Sequence, residues 1–479
     1  MIGGKNEMIF IDQVRWQCRI NGAKPALWTP GGAVNYERLG ACLDNVCGRL
    51  RSHRITAGAV YGLLFDNSLL HIVSMLALDE LGAITASLSA TDHLESLHLA
   101  AVLTDRDIAI PSVPAIRVHP NWLHIESDYH YEPERPAASE ACRLILTSGT
   151  TGTPKAVPRT RTVLRKRVSQ TDYIYGNDLP TCARLLCWLG VNTGLGYVSL
   201  MHALSRGGMF CLPDPSIERT VWNIARYRLT AIVASPQALS ELAAYCRRKP
   251  VTLPGLKVIL STGSLLPQAL ADSVRATICS HIINVYGSTE AGIIATAPVE
   301  ALDLANGEVG FVIPETHVDI VDGKTGARAK EGGGKVHIRA DTCVDGYLGA
   351  DKADAFDEDG FFPGDSGHLS RNGLLSIFGR ESHVVNLGGL KTTVEQIEGR
   401  ISTAPGIRDV AVVLVPDHFG IAQLLAIVVP EGAWSEELFW QHCHRHIERE
   451  YWPARLKTSD RIPRSANGKI DRSGVALLV

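Results

Sequence analysis

The sequence predicts an α/β protein with a large multi-layer N-terminal domain, containing parallel sheets and a β-rich subdomain, and a small α+β C-terminal domain. Three observations carry this reading. Short apolar runs alternate with helical patterns over most of the chain up to about residue 290. After about residue 300 glycine and charge increase (GEVGFVIP, DGKTGARAKEGGGKVHIRA), and short strands with turns replace the alternation. Beyond Gly379-Arg380 the residues carry a small pattern of their own, so the boundary falls near 380–383, dividing 1–380 from 381–479.

In chain order, Leu39, Cys42, Leu43, Val46 and Leu50 stand at helical spacing, and the strand-like VYGLLF follows at 60–65. A helix over 68–81 leads to ITASLS. The rhythm then repeats: LLCWL, a helix near 195–206, MFCLP, a helix near 217–227, TAIVAS, a helix near 236–248, LKVILS, a helix near 266–277, and HIINVYG. Buried strands separated by helices imply βαβ units and parallel sheets, whose ligands usually sit at the carboxyl ends of strands. The last part predicts a helix over 393–401, strands over 409–415 and 424–429, and a helix over 435–450.

Composition sets outer bounds. With 479 residues, two or three domains are expected, and 45% hydrophobic with 20% charged residues is ordinary for a globular chain. A net charge of −3 offers no global attraction to nucleic acid or anionic membranes. The 11 cysteines lie mostly inside apolar runs without a C-x-x-C pair, as buried thiols in a reducing compartment do. The N-terminus lacks a signal-peptide pattern, and no apolar run is long enough to cross a bilayer, so a cytoplasmic location is expected.

The chemistry centres on Thr147-Ser148-Gly149-Thr150-Thr151-Gly152-Thr153-Pro154-Lys155, expected between the strand Leu144-Ile145-Leu146 and a helix starting near Thr160. Hydroxyls, glycines and one lysine make an anion cradle, in which amides and hydroxyls donate to phosphate oxygens and the lysine offsets pyrophosphate charge. The ordinary P-loop is excluded, because Pro154 precedes the lysine and Ala156 follows it.

This loop resembles the signature of the adenylate-forming superfamily, which includes acyl- and aryl-CoA ligases, peptide-synthetase adenylation domains and luciferases. Its other motifs follow in order: Ser261-Thr262-Gly263-Ser264; Asn284-Val285-Tyr286-Gly287-Ser288-Thr289-Glu290; Gly364-Asp365-Ser366-Gly367; Gly379-Arg380; and Pro463-Arg464-Ser465-Ala466-Asn467-Gly468-Lys469. The resemblance implies ATP and Mg²⁺ as cofactors. Gly263 and Ser264 would line the adenine pocket, Tyr286 and Gly287 would meet adenine, Thr289 the α-phosphate, and Glu290 the Mg²⁺. Asp365 and Arg380 would hold the ribose, and Lys155 and Lys469 would be catalytic. Ser382 falls where the family usually has a hinge Asp or Lys, about which a mobile C-terminal domain rotates between half-reactions. Gly388-Gly389-Leu390-Lys391 would then face the incoming thiol.

The acid pocket is read from Leu185–Gly208, which has no aspartate, whereas amino-acid-activating relatives use one there to hold an ammonium group. Asn192, with Gly207-Gly208 at the matching spacing, and Pro158-Arg159-Thr160 resemble aryl-acid-activating members. Asn192 reads equally as a turn residue beside Gly194. Trp188 and Tyr197 read as pocket walls or as core packing. The expected substrate is an aryl or other small non-amino carboxylic acid, and the thiol is CoA or a phosphopantetheinyl carrier on a separate protein. A non-catalytic binding relative, and an enzyme diverting the adenylate elsewhere, are the rival readings. His442-Cys443-His444-Arg445-His446 suggests a metal cluster, but helical spacing scatters its side chains, so an amphipathic helix is expected.

Overall fold

The computed structural model describes residues 9–89, 94–110, 112–131, 136–147, 155–175, 183–349, 355–380, 384–387, 390–416, 422–447, 451–465 and 468–479. The alternation read from sequence builds two sheets. In the larger, five parallel pairings join Pro25–Thr29, Met209–Cys211, Arg184–Cys187, Ala231–Ala234, Val258–Thr262 and Ile282–Ser288 in that spatial order. The helices Gly194–Ser205, Ile217–Arg226, Pro236–Arg248 and Gln268–Thr277 form its crossovers, capped by Thr193, Ser216 and Ser235 except for the last. Because strand side chains alternate, Leu185 and Cys187 enter the core between the sheets, while Leu186 packs beneath the outer helices.

A β-rich part is present but not as a separate sheet. From Ile282–Ser288 the large sheet continues antiparallel through Gly292–Pro298, Glu308–Val312, Leu374–Arg380, Asp365–Leu369, Gly332–Ala340 and Thr316–Val321, giving 14 strands in all. It keeps its own apolar core around Ile294, Ile338, Phe361 and Leu375. The second sheet has six strands, of which Ala115–Arg117, Ala101–Thr104, Val60–Leu64, Ile84–Ser87 and Ala141–Thr147 are parallel neighbours.

Between the phosphate loop and the helix expected near Thr160 the structure adds an element: Lys155–Thr160 is an edge strand, antiparallel to Ala141–Thr147 with Thr147 opposite Lys155. Pro158 is tolerated because an edge strand leaves one row of its backbone groups unpaired. The helix begins at Arg161, next to the expected start, and runs to Tyr175.

The C-terminal residues build two apolar clusters on opposite faces of the sheet Ile407–Pro416, Ala422–Pro430 and Arg455–Thr458, one with Ile397, Ile401, Phe439 and Cys443, the other with Ile462 and Val475. The predicted helix over 435–450 is observed as Glu436–His446. Among the described residues, no helix is long and apolar enough to cross a membrane.

Candidate active site

The site forms at the carboxyl ends of neighbouring parallel strands. Val258–Thr262 ends at Gly263, which has φ +92°, and Ser264. The adjacent Ile282–Ser288 turns back through Thr289, Glu290 and Ala291 into Gly292–Pro298. Gly287 is required there, because a Cβ would lie 2.3 Å from the Gly292 carbonyl oxygen.

Two buried arginines hold this turn. Arg167 donates through Nη1 to the Thr289 carbonyl (2.9 Å) and through Nη2 to the Glu290 carbonyl (2.6 Å). Arg159 adds a bond from Nη2 to the Thr289 carbonyl at 3.1 Å. The Glu290 carboxylate accepts from the Tyr347 hydroxyl at 3.0 Å, and the Lys155 ammonium lies 4.8 Å from the centre of the Tyr347 ring. Tyr347 therefore bridges the two charged groups, a cation–π contact on one side and a charged hydrogen bond on the other.

Asp365 is 8% exposed and stands opposite Arg380 across antiparallel strands. Its carboxylate accepts from the Tyr286 hydroxyl (2.6 Å) and pairs with Arg380 Nε (3.0 Å). Burial pushes the Asp365 carboxyl above its usual range, opposed by the Arg380 guanidinium and the Tyr286 bond. Burial and the Asp365 charge push the Tyr286 phenol well up.

Lys469 arrives from the far end of the chain. Gly468 docks on the start of the helix Pro236–Arg248, where a Cβ would be 3.0 Å from both Ser235 Oγ and Gln237 Oε1. Lys469 keeps solvent contact, yet partial desolvation and the Arg380 guanidinium lower its pKa, while Asp365 and Glu290 raise it. Those three groups are thus close enough to act on the ammonium electrostatically.

The structure brings together Lys155, Tyr286, Gly287, Thr289, Glu290, Asp365, Arg380 and Lys469. Thr147 lies opposite Lys155, its hydroxyl 3.4 Å from the Lys155 carbonyl. Ser148, Gly149, Thr150, Thr151, Gly152, the hinge position Ser382 and Gly388-Gly389 lie outside the described residues. Asn192 is an exposed turn residue just before the helix Gly194–Ser205. Trp188 is half-buried against the outer helices. Tyr197 is 2% exposed and packs on the buried Arg143 guanidinium at 4.6 Å, so here core packing replaces the expected pocket wall. In the helix Glu436–His446, His442 bonds the Arg400 carbonyl at 2.9 Å, Cys443 is buried, and no group of three or more His, Cys, Asp or Glu side chains that could hold a metal ion exists among the described residues.

Sequence reasoning missed Tyr347 and Arg167 as site residues, and met Arg159 only through the resemblance of the segment Pro158-Arg159-Thr160. Tyr347 follows a Gly in an unremarkable loop, and arginines after a phosphate loop read as surface charge. Only tertiary burial marks them.

The AMP-binding enzyme family model matches residues 14–348. A salicyl-AMP ligase / salicyl-S-ArCP synthetase from Mycobacterium tuberculosis (strain ATCC 25618 / H37Rv) is 26% identical over 513 residues, covering 96% of this chain and 88% of its own length. The chain is also 25% identical to an isonitrile lipopeptide synthase from Streptomyces coeruleorubidus, of which it spans only 32%. A solved structure of the anthranilate CoA ligase AuaEII with anthranoyl-AMP superposes with a TM-score of 0.86 at 20% identity, over 98% of this chain and 97% of the other. That likeness shows a shared fold. With the family model spanning most of its length, the chain belongs to the AMP-binding enzyme family.

Proposed function

We propose that this protein is an AMP-forming acid–thiol ligase that adenylates a small carboxylic acid with ATP and passes the acyl group to a thiol. The observation that carries the proposal is the convergence of Lys469, from the C-terminal part, on Asp365, Arg380 and Glu290 of the large sheet. In the first half-reaction a carboxylate oxygen attacks the α-phosphorus, and the bond to pyrophosphate breaks. Two anions meet, so cations must offset the repulsion that grows towards the transition state. Lys469 supplies charge beside the reacting groups, and Lys155 with the loop Thr147–Lys155 takes up the leaving pyrophosphate. Thr289 orients the α-phosphate, the Tyr286 ring covers adenine beside Gly263-Ser264, and Asp365 with Arg380 reads the ribose.

The residues fit Mg²⁺. Glu290 offers a hard carboxylate, and the lack of any wider cluster of acidic or histidine side chains among the described residues suits an ion that keeps waters and takes its other ligands from phosphates. Bound there, Mg²⁺ would neutralise phosphate charge.

In the second half-reaction the thiol sulfur attacks the acyl carbon; AMP leaves and the thiol proton is released. Different neighbours are needed around the same adenylate, and the separate C-terminal cores support a division at 380–383 with rotation about that segment. The absence of aspartate from Leu185–Gly208 favours a non-amino acid, and the salicyl and anthranilate activities in the names of similar proteins favour an aryl one. Asn192, exposed at the turn, would meet a polar substituent on it. CoA or a separate carrier protein would serve as the thiol.

Carboxylate-dependent exchange of labelled pyrophosphate into ATP, screened over aryl, aliphatic and amino acids, tests this. Exchange with aryl or aliphatic acids is expected. No exchange with any class overturns the enzyme reading, and exchange with amino acids alone overturns the pocket argument. Adding CoA or carrier protein in parallel identifies the acceptor.

A further inference from the structure

The candidate metal ligand Glu290 is held by more than its own strand. Arg167 uses all three guanidinium nitrogens on carbonyl oxygens. Besides Thr289 and Glu290, it bonds the Thr342 carbonyl from Nη2 at 2.7 Å and from Nε at 3.2 Å. Thr342 in turn donates its hydroxyl to the Ala291 carbonyl at 2.8 Å, and the Val344 amide donates to the Glu290 carbonyl at 3.0 Å. The segment carrying Thr342 continues to Tyr347, whose hydroxyl meets the Glu290 carboxylate. A single planar fork therefore fixes both the backbone under Glu290 and the segment that orients its side chain, which a point-like ammonium could not do.

Arg159, on the strand just after the phosphate loop, shares the Thr289 carbonyl. Arg159 is 1% exposed, its Nε and Nη1 have no partner among the described residues, and it lies against Gly194, where a Cβ would be 3.1 Å from Nη2. It thus touches both the turn on the phosphate side and the start of the helix on the acid side. Neither arginine is bonded to a carboxylate among the described residues. Burying unpaired guanidinium groups costs stability, and such a cost is expected where a functional geometry needs the groups. Burial lowers the pKa of both, Arg159 to about 10.

We propose that Arg167 and Arg159 are positioning residues for adenylation, which clamp the Thr289–Glu290 turn so that Thr289 and Glu290 present the nucleotide phosphates and their Mg²⁺ to the acid. The proposal rests on the adenylation reading above. It assigns the two arginines no contact with substrate.

Arg167→Met keeps much of the volume and removes the fork. In pyrophosphate exchange it should raise the Mg²⁺ concentration for half-maximal rate by about 10- to 100-fold, the usual loss when a support of a metal ligand is removed. Thioester formation from supplied acyl-adenylate needs neither pyrophosphate nor Mg²⁺, and it should stay within about twofold of wild type, the scatter usual for single-interaction effects. Arg167→Lys should recover part of the Mg²⁺ affinity. Arg159→Met should show the same split with a smaller Mg²⁺ shift, since it removes one bond rather than four. If either Met variant fails to fold, Arg167→Lys read in both assays decides. An unchanged Mg²⁺ dependence, or equal loss in both half-reactions, overturns the clamp. Absence of exchange in the wild type instead overturns the adenylation reading itself.

Discussion

The two halves of the candidate site are attached in opposite ways. The turn Thr289–Glu290 is bonded from behind by buried guanidinium groups and by the Val344 amide. The C-terminal part that carries Lys469 instead rests on the helix Pro236–Arg248 through small contacts: Gly468 against Ser235 and Gln237, and, from the turn after the strand Ala422–Pro430, an ion pair between Glu431 and Arg247 at 3.6 Å with both partners about half exposed. Exposed pairs of this kind contribute little, typically below about 1 kcal/mol. One half is therefore built to stay, and the other to leave. That asymmetry suits a reaction whose two steps need the same phosphate site but different neighbours.

The comparison can be broken by experiment. Lys469→Ala should slow adenylation by about a hundred- to a thousandfold, as loss of one transition-state charge partner does, while thioester formation from supplied acyl-adenylate survives. Equal loss in both steps would mean that the lysine does not leave. The lowered pKa of Lys469 gives a second readout. The ammonium loses its proton at a pH below that of an ordinary lysine, so adenylation should fall on the alkaline side earlier than a free lysine would dictate. Lys469→Arg, which does not titrate there, should remove that limb.

Smaller effects probe the joints. Gly468 has φ +78°, and a Cβ would press on Ser235 and Gln237. Gly468→Ala should cost adenylation about tenfold through backbone strain of about 1 kcal/mol plus lost docking, with thiol transfer spared. Tyr347→Phe removes one hydrogen bond to a carboxylate, and about a tenfold weaker Mg²⁺ response in exchange is expected. Arg247→Ala should change either rate by less than about threefold. A large loss there would show that the lysine loop is held as firmly as the turn.

How much of this was legible in the sequence depends on what kind of contact carries it. The parallel strands and their helices follow from apolar periodicity, a local property, so Val258–Thr262 and Pro236–Arg248 emerged nearly at their observed bounds. Tyr286, Asp365 and Lys469 stand in motifs with a recognisable order. The strand Lys155–Thr160 was not anticipated, because Pro158 and its charged neighbours carry no strand pattern; pairing with Ala141–Thr147 overrides local preference. The β-rich subdomain was read from a change in texture, and hydrogen bonding joins it to the parallel strands in one large sheet. Tyr197 has the composition of a pocket wall and the burial of a core residue, because Arg143 beneath it comes from another sheet. Arg167 had no local signal, and Arg159 only the resemblance of its segment, since nothing in a helix or strand pattern reveals that an arginine is buried on carbonyl oxygens 122 or more positions away.

Lys155 is placed by strand register opposite Thr147 and by the face of the Tyr347 ring. Its position therefore does not depend on the sequence joining the two strands. The strand pair fixes the cation, while the hydroxyls and glycines between the strands are left to supply donors to the leaving group. For evolution, and for anyone redesigning the protein to accept a bulkier or differently charged leaving group, this separates two duties that can be altered one at a time.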